Sequence, residues 1–198
     1  MTEDKTNELL ISGLDAALDE RDPITHAHCG RVLGLSLALG KLCGLSEREL
    51  RVLRSVAQLH DIGKIGIPDT ILKKPAKLDD QEWLVMKTHS AKGERIVLAS
   101  VLDYGDEIAK GVRHHHERCD GQGYPDGLAG ESIPFLARIV AIADSYDAMA
   151  HLRDYGSPLM HASIMRELQL VAGTQHDAYL TAKFSIAVED SPFKVNGH

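Results

Sequence analysis

The chain has 198 residues, 29 of them acidic and 22 basic, for a formal net charge of -7 at pH 7. That length suits one domain with its own buried core, and the acidic balance argues against a general nucleic-acid-binding surface. Aromatic residues make up only 5%, too few for single-strand stacking platforms, and no apolar run approaches the roughly 18 residues of a membrane-spanning helix.

Apolar residues recur at helical spacing in almost every segment, so the pattern is all-α. A lead-in helix is expected from about Asn7 to Glu20, within an extension covering residues 1–21. Asp22-Pro23 breaks the chain, and Thr25 is placed to cap a helix carrying Val32, Leu35, Leu39 and Leu42. Ser46 followed by Glu49 has the form of a capping box, with Leu50, Leu53, Val56, Ala57 and His60 on one stripe behind it. Gly63 and Gly66 end that helix. Asp79 with Glu82 caps the next, which is expected to run through Trp83 and Met86 to His89.

From Asp106 to His116, a turn of about 100° per residue puts Ile108, Val112, His115 and His116 on one face and His114 off it. Glycines 121, 123, 127 and 130, with Pro125, make Asp120 to Glu131 an irregular loop with room for a small hairpin. A helix from near Pro134 carries Leu136, Val140, Asp144 and Asp147. The chain is expected to turn over Arg153 to Ser157, to form a helix opened by Pro158, and to form a last helix after Asp177. A flexible tail is expected over 191–198.

Eleven histidines are the unusual feature of the composition. His28, His60, Asp61, His89, His115, His116 and Asp144 fall at core-facing ends of separate helices, where ionisable groups are costly to bury unless paired or bound to a cation. The set offers nitrogen and oxygen donors and no thiolate, which points to iron, manganese or another first-row divalent ion. Seven ligands exceed the needs of one ion, so two ions bridged by Asp61 are expected. Such a pair, about 4 Å apart, acidifies water and neutralises phosphoryl charge, which is hydrolytic chemistry. His26 and His114 are expected to face solvent or support the ligands, and His151, His161, His176 and His198 to lie at the surface. Cys29, Cys43 and Cys119 are odd in number without paired spacing, which fits a reducing, cytoplasmic setting. Cys119 reads as a small buried residue.

The runs His60-Asp61-Ile62-Gly63-Lys64 and His115-His116-Glu117-Arg118-Cys119-Asp120-Gly121-Gln122-Gly123-Tyr124-Pro125 resemble the HD-GYP domain family. The likeness extends from about Asp22 to Phe184, with a domain expected over 22–190. It implies an HD-superfamily helical bundle and a metal-dependent phosphodiesterase that opens cyclic di-GMP, or a related cyclic dinucleotide, to pGpG and in some members GMP. Carried over, the family's two-metal ligands fall on the same seven residues. His28, His60, Asp61 and Asp144 would hold one ion, and Asp61, His89, His115 and His116 the other. Lys64 and Arg153 match residues that grip substrate phosphate.

Five positions depart from the family pattern. Ile24 replaces a glutamate that holds a third ion in some members, Gly156 replaces a second basic residue, Cys119 replaces a Trp, and His176-Asp177-Ala178 replaces Phe-Asp-Pro. The loop Gly121 to Pro125 either walls the cleft or receives a signalling protein. A nucleotidase of the wider superfamily and a catalytically weak dinucleotide sensor are the rival readings.

Overall fold

A computed structural model describes residues 3–151 and 159–195. Among these residues there are ten α-helices: α1 Glu3–Arg21, α2 Pro23–Leu42, α3 Glu47–Leu59, α4 Asp69–Leu72, α5 Asp80–Lys87, α6 His89–Ala99, α7 Gly105–His114, α8 Phe135–His151, α9 His161–Leu170 and α10 Ala178–Ala187. Short 3-10 turns cover Ile62–Gly66 and Gly130–Ser132. The described residues contain no strand, and the small hairpin reduces to one isolated bridge between Asp120 and Ala129. No helix among them is long and apolar enough to cross a membrane.

The helix starts follow local chemistry. The cap of α2 is Asp22 rather than Thr25: its side chain accepts from the Thr25 backbone N–H and hydroxyl, and Pro23 occupies the first turn. The capping boxes at Ser46/Glu49 and Asp79/Glu82 form as expected. Asp177 caps α10 and is also paired with Arg138 at 2.6 Å.

Helices α2, α3 and α8 make the centre of the bundle, with α1, α7 and α10 packed against it. Val32, Leu35 and Leu39 of α2 meet Leu53, Val56 and Leu59 of α3 and Ile139, Val140 and Ile142 of α8 in one continuous core. This core brings the first turns of α2, the end of α3 and the middle of α8 to a common point.

Two expectations change here. The helix expected to run to His89 stops at Lys87, and His89 instead opens α6. Helix α6 packs through Ser90, Gly93 and Val97, a face of small residues with little apolar periodicity to reveal it. The expected free tail is held over 191–195: Phe193 packs on Gly34, and the Val195 N–H donates to the Tyr146 hydroxyl at 3.1 Å. Gly34 has no side chain to keep that ring away.

A second glycine contact fixes the α6 interface. A Cβ on Gly63 would lie 1.8 Å from the His89 carbonyl oxygen and 2.5 Å from the Gly93 nitrogen, so the 3-10 turn and α6 meet backbone to backbone. Gly63→Ala is therefore expected to destabilise the fold by about 1–3 kcal/mol, read as a lower denaturant midpoint. An unchanged midpoint would mean that α6 can retreat freely.

Candidate metal centre

Three histidines share one device. His60 directly follows α3, His115 directly follows α7, and His89 stands just beyond the end of α5. Each turns Nδ1 onto the carbonyl oxygen three residues back: His60 onto Ala57 at 2.8 Å, His89 onto Met86 at 2.8 Å, His115 onto Val112 at 2.6 Å. A carbonyl only accepts, so Nδ1 carries the proton and Nε2 keeps a lone pair. The last-turn carbonyls of three helices also bring the negative ends of their dipoles to this region, which favours a cation.

His28 comes from α2 and touches two carboxylates of α8. Its Nδ1 is 2.7 Å from Asp147 Oδ2 and its Nε2 is 2.9 Å from Asp144 Oδ1. Asp147 is held in turn by Arg31, through Nε at 2.7 Å and Nη2 at 2.9 Å. The spacing Asp144-x-x-Asp147 places both carboxylates on one helix face.

Asp61 sits between the two halves of the cluster, with Oδ1 3.4 Å from His89 Nε2 and Oδ2 3.5 Å from His60 Nε2. Donor atoms of Asp61, His89, His115 and His116 lie within 4.8 Å of one another, and so do those of His28, His60 and Asp144. His89 Nε2 and His115 Nε2 are 3.4 Å apart. With both Nδ1 atoms protonated, that contact is two facing lone pairs and not a hydrogen bond. His60 Nε2 is likewise buried without a partner. Bare Nε2 atoms of His60, His89 and His115 converging beside ionised carboxylates, with one lone pair orphaned and two opposed, fit a divalent metal. Cys29 Sγ also lies within 4.8 Å of donor atoms of His60 and Asp61, but it approaches His60 at Nδ1, 3.9 Å away, and burial pushes its thiol well above the usual range, so it stays protonated.

The electrostatics agree with that donor set. Burial, reinforced by His116 and other imidazoles, holds His115 well below the usual histidine range. Burial, with His89 beside it, brings His116 down to about 3. Burial, the largest single effect, would lift Asp61 and Asp144, yet Lys64 together with the imidazoles of His60, His89 and His28 outweighs it at Asp61, and the His28 hydrogen bond and charge together with His60 and His116 outweigh it at Asp144, so both stay ionised. Burial opposes charge on His28, but its bonds to Asp144 and Asp147 push it up to about 10. That proton stands where a cation between Nε2 and Oδ1 would take its place, so cation uptake and proton release are coupled there.

The seven expected ligands thus meet in one cluster. Lys64 is beside it, but its Nζ lies on Asp61 Oδ2 at 2.7 Å and does not point to open space. Arg153 and the expected turn around it lie outside the described residues, as do Pro158 and His198. His26 is partly exposed against Asp15 and Asp19, and His114 is turned away from the cluster onto Asp126. His176 was expected at the surface and is instead buried, 5% exposed, because the α9–α10 turn folds inward beside the loop that follows His116. Asp147, Arg31, Glu117 and His176 also belong to the site, though their residue types alone do not mark them as such. Only Asp147 had a usable signal, its helical spacing from Asp144.

The loop after His116 is built around Glu117, which is buried. Its two carboxylate oxygens accept from the backbone N–H of Asp126 at 2.7 Å and of Leu128 at 3.0 Å. Gly123 allows close approach, since a Cβ there would lie 2.4 Å from the Arg118 nitrogen. The loop so formed walls a cleft of about 350 Å³ that opens on His115, His116 and Asp144, with Tyr124 and Trp83 at its rim. Tyr124 stacks on His116, ring centroids 4.7 Å apart.

A helical bundle that gathers imidazoles and carboxylates at converging helix ends is the architecture of HD domains. The HD-domain family profile matches residues 14–180, and the chain belongs to that family. It is 39% identical, over 89% of its length, to a 3'3'-cGAMP-specific phosphodiesterase of Vibrio cholerae, and 44% identical, over 73%, to a cyclic di-GMP phosphodiesterase response regulator of Xanthomonas campestris. It spans 34% and 38% of those two proteins. The crystal structure of a cyclic GMP-AMP-specific phosphodiesterase of Vibrio cholerae shares the fold, with a TM-score of 0.67 at 22% identity over 94% of this chain and 49% of that one.

Removing the Glu117 carboxylate orphans two loop N–H groups, at a cost of about 1–3 kcal/mol. Glu117→Ala is expected to speed amide hydrogen exchange at Asp126 and Leu128 by at least about tenfold while the α2–α3 core keeps its protection. Unchanged exchange at both amides would show that the loop is held by other contacts.

Proposed function

We propose that this chain is a metal-dependent phosphodiesterase that hydrolyses a cyclic dinucleotide, cyclic di-GMP, to linear pGpG. The observation that carries the reading is the set of imidazole lone pairs opposed at 3.4 Å beside Asp61, at the floor of an open cleft. Naming of the relatives as cyclic di-GMP and 3'3'-cGAMP phosphodiesterases supports the substrate class.

Two divalent ions, iron or manganese, are assigned to the cluster. His28, His60, Asp61 and Asp144 would hold one, and Asp61, His89, His115 and His116 the other. The division is supported by Asp61 turning one oxygen to His60 and the other to His89. When bound, the ions act as Lewis acids, acidifying the attacking water and neutralising charge on the phosphoryl oxygens.

The protein's own groups supply position and charge. Asp147 orients the imidazole of His28, and the three backbone carbonyls orient those of His60, His89 and His115 so that these three need no change of tautomer on binding. Lys64 is paired with Asp61; with that carboxylate committed to a cation, its ammonium would be left to meet a phosphate oxygen. Arg153 is assigned a second phosphate contact, for which a planar guanidinium is suited. Tyr124 and Trp83 wall the cleft against bulk water.

Loaded with iron(II) or manganese(II), the protein is expected to consume cyclic di-GMP and release pGpG, resolved by chromatography; no loss of any cyclic dinucleotide would overturn the assignment. His60→Ala and Asp61→Ala are expected to lose both metal and turnover. Lys64→Ala is expected to keep its metal by elemental analysis and to lose turnover, and metal loss in that variant would contradict its role. Asp147→Asn keeps the shape but weakens the acceptor for His28 Nδ1, so metal affinity should fall about 10–100-fold in a titration.

A further inference from the structure

The cleft has a wall that this chemistry leaves unused. Gln175 and His176 lie on the turn between α9 and α10 and line the cleft together with Asp144 and Ser145. The turn is docked on the loop that follows His116: Cys119 N–H donates to the Gln175 carbonyl at 3.1 Å and Asp120 N–H to the Thr174 carbonyl at 2.8 Å. The wall is therefore fixed before any ligand arrives.

His176 is buried, and its Nε2 is enclosed without a hydrogen-bond partner. Such an atom carries a desolvation cost that the fold does not recover. A buried N–H without an acceptor is rarer than an unused lone pair, which puts the proton on Nδ1. His176 lines the cleft, and Nδ1, which is not among the enclosed atoms, is the nitrogen left to donate there.

Gln175 is fixed by a similar argument. Its Oε1 accepts from Arg118 Nη1 at 3.2 Å, and a guanidinium can only donate, so the amide cannot flip and its NH2 is left to donate. Arg118 is itself matched by Asp120, through Nε at 3.0 Å and Nη2 at 2.6 Å. Its charge is already satisfied, so the wall presents neutral donors and not an anion site.

Two neighbouring neutral donors suit two neighbouring acceptors on a flat heterocycle. Guanine offers O6 and N7, both acceptors, along one edge, whereas adenine offers N7 beside an amino donor. We propose that Gln175 and His176 read the base of the substrate, donating to the O6/N7 edge of guanine and rejecting adenine. This rests on the reading of the chain as a cyclic dinucleotide phosphodiesterase, and it names the group that selects among such dinucleotides.

The test uses the full chain and equilibrium binding of GMP and AMP, neither of which contains a diester to be cut. Wild type is expected to favour GMP by about tenfold or more, and His176→Phe and Gln175→Leu each to bring the ratio toward one. His176→Phe removes the orphaned nitrogen, so its melting temperature should hold or rise. Hydrolysis of bis(4-nitrophenyl) phosphate, which has no base, should be the same in wild type and both variants. Equal affinity of wild type for the two nucleotides, an unchanged ratio in both variants, or loss of turnover of the simple diester in either would overturn the proposal. A lower melting temperature in His176→Phe with the ratio intact would do the same, since it would mark a packing residue. If the metal-loaded protein cuts neither the simple diester nor a cyclic dinucleotide, the phosphodiesterase reading fails alone, because the nucleotide ratios still decide this one.

Discussion

The centre depends on one small contact made three times: an imidazole Nδ1–H on the carbonyl three residues back, at the end of a helix. A helix leaves its last carbonyls without partners, and a histidine placed just beyond the end can satisfy one of them. In doing so it spends its proton on the outside of the site and aims a bare Nε2 inward. The helix end and the ligand are thus solved by the same bond. Fixing the tautomer this way matters because a histidine that had to lose a proton or rotate on binding would bind a cation more weakly.

Distances between those helix ends are set by absent side chains. Asp61 lies immediately before the 3-10 turn that contains Gly63, and His89 is the first residue of α6. The turn and α6 approach closely enough that the Gly63 position has no space for a Cβ. Gly93 lies under Val112 in the same way, a Cβ there meeting Val112 Cγ1 at 2.7 Å, and Val112 supplies the carbonyl that holds His115. These close contacts at glycine therefore pin His60, Asp61, His89 and His115 to one another with little freedom, which keeps two lone pairs opposed at 3.4 Å in spite of their repulsion.

Much of this was legible in the sequence because the ligands sit where helical stripes stop. His60 ends the stripe of Leu53, Val56 and Ala57, and the 100° step separated His115 and His116 from His114. Capping boxes gave the starts of α3 and α5. What stayed hidden has a common cause. Helix α6 buries Ser90, Gly93 and Val97, and close packing of small residues leaves no hydrophobic period. Glu117 holds its loop by accepting backbone N–H groups, a role that depends on loop shape and not on spacing. His176 is buried because the α9–α10 turn docks on a loop some fifty residues earlier, a contact that no local pattern encodes. The anchored tail is similar, since only the three-dimensional fold shows that Gly34 leaves a space for Phe193.

An acidic chain with a net charge of -7 is an unpromising partner for an anionic ligand until the charge is placed. The carboxylates of the cluster are ionised and inward, so cations bound there would set the local potential, and the rest of the acidic surface would be screened within about 10 Å at ordinary ionic strength. The cleft then divides its work by chemistry. On the proposed reading its floor would carry the cations and could act on any phosphodiester, which would give rate but little selectivity. Its α9–α10 wall carries neutral donors whose partners are fixed by Arg118 and by the enclosed Nε2 of His176, which gives selectivity without adding charge. Neutral hydrogen bonds discriminate well only where water is excluded and the unused donor would be stranded by the wrong base. Burial of His176 meets that condition, and it accounts for an imidazole at a position where an apolar ring would serve the fold better.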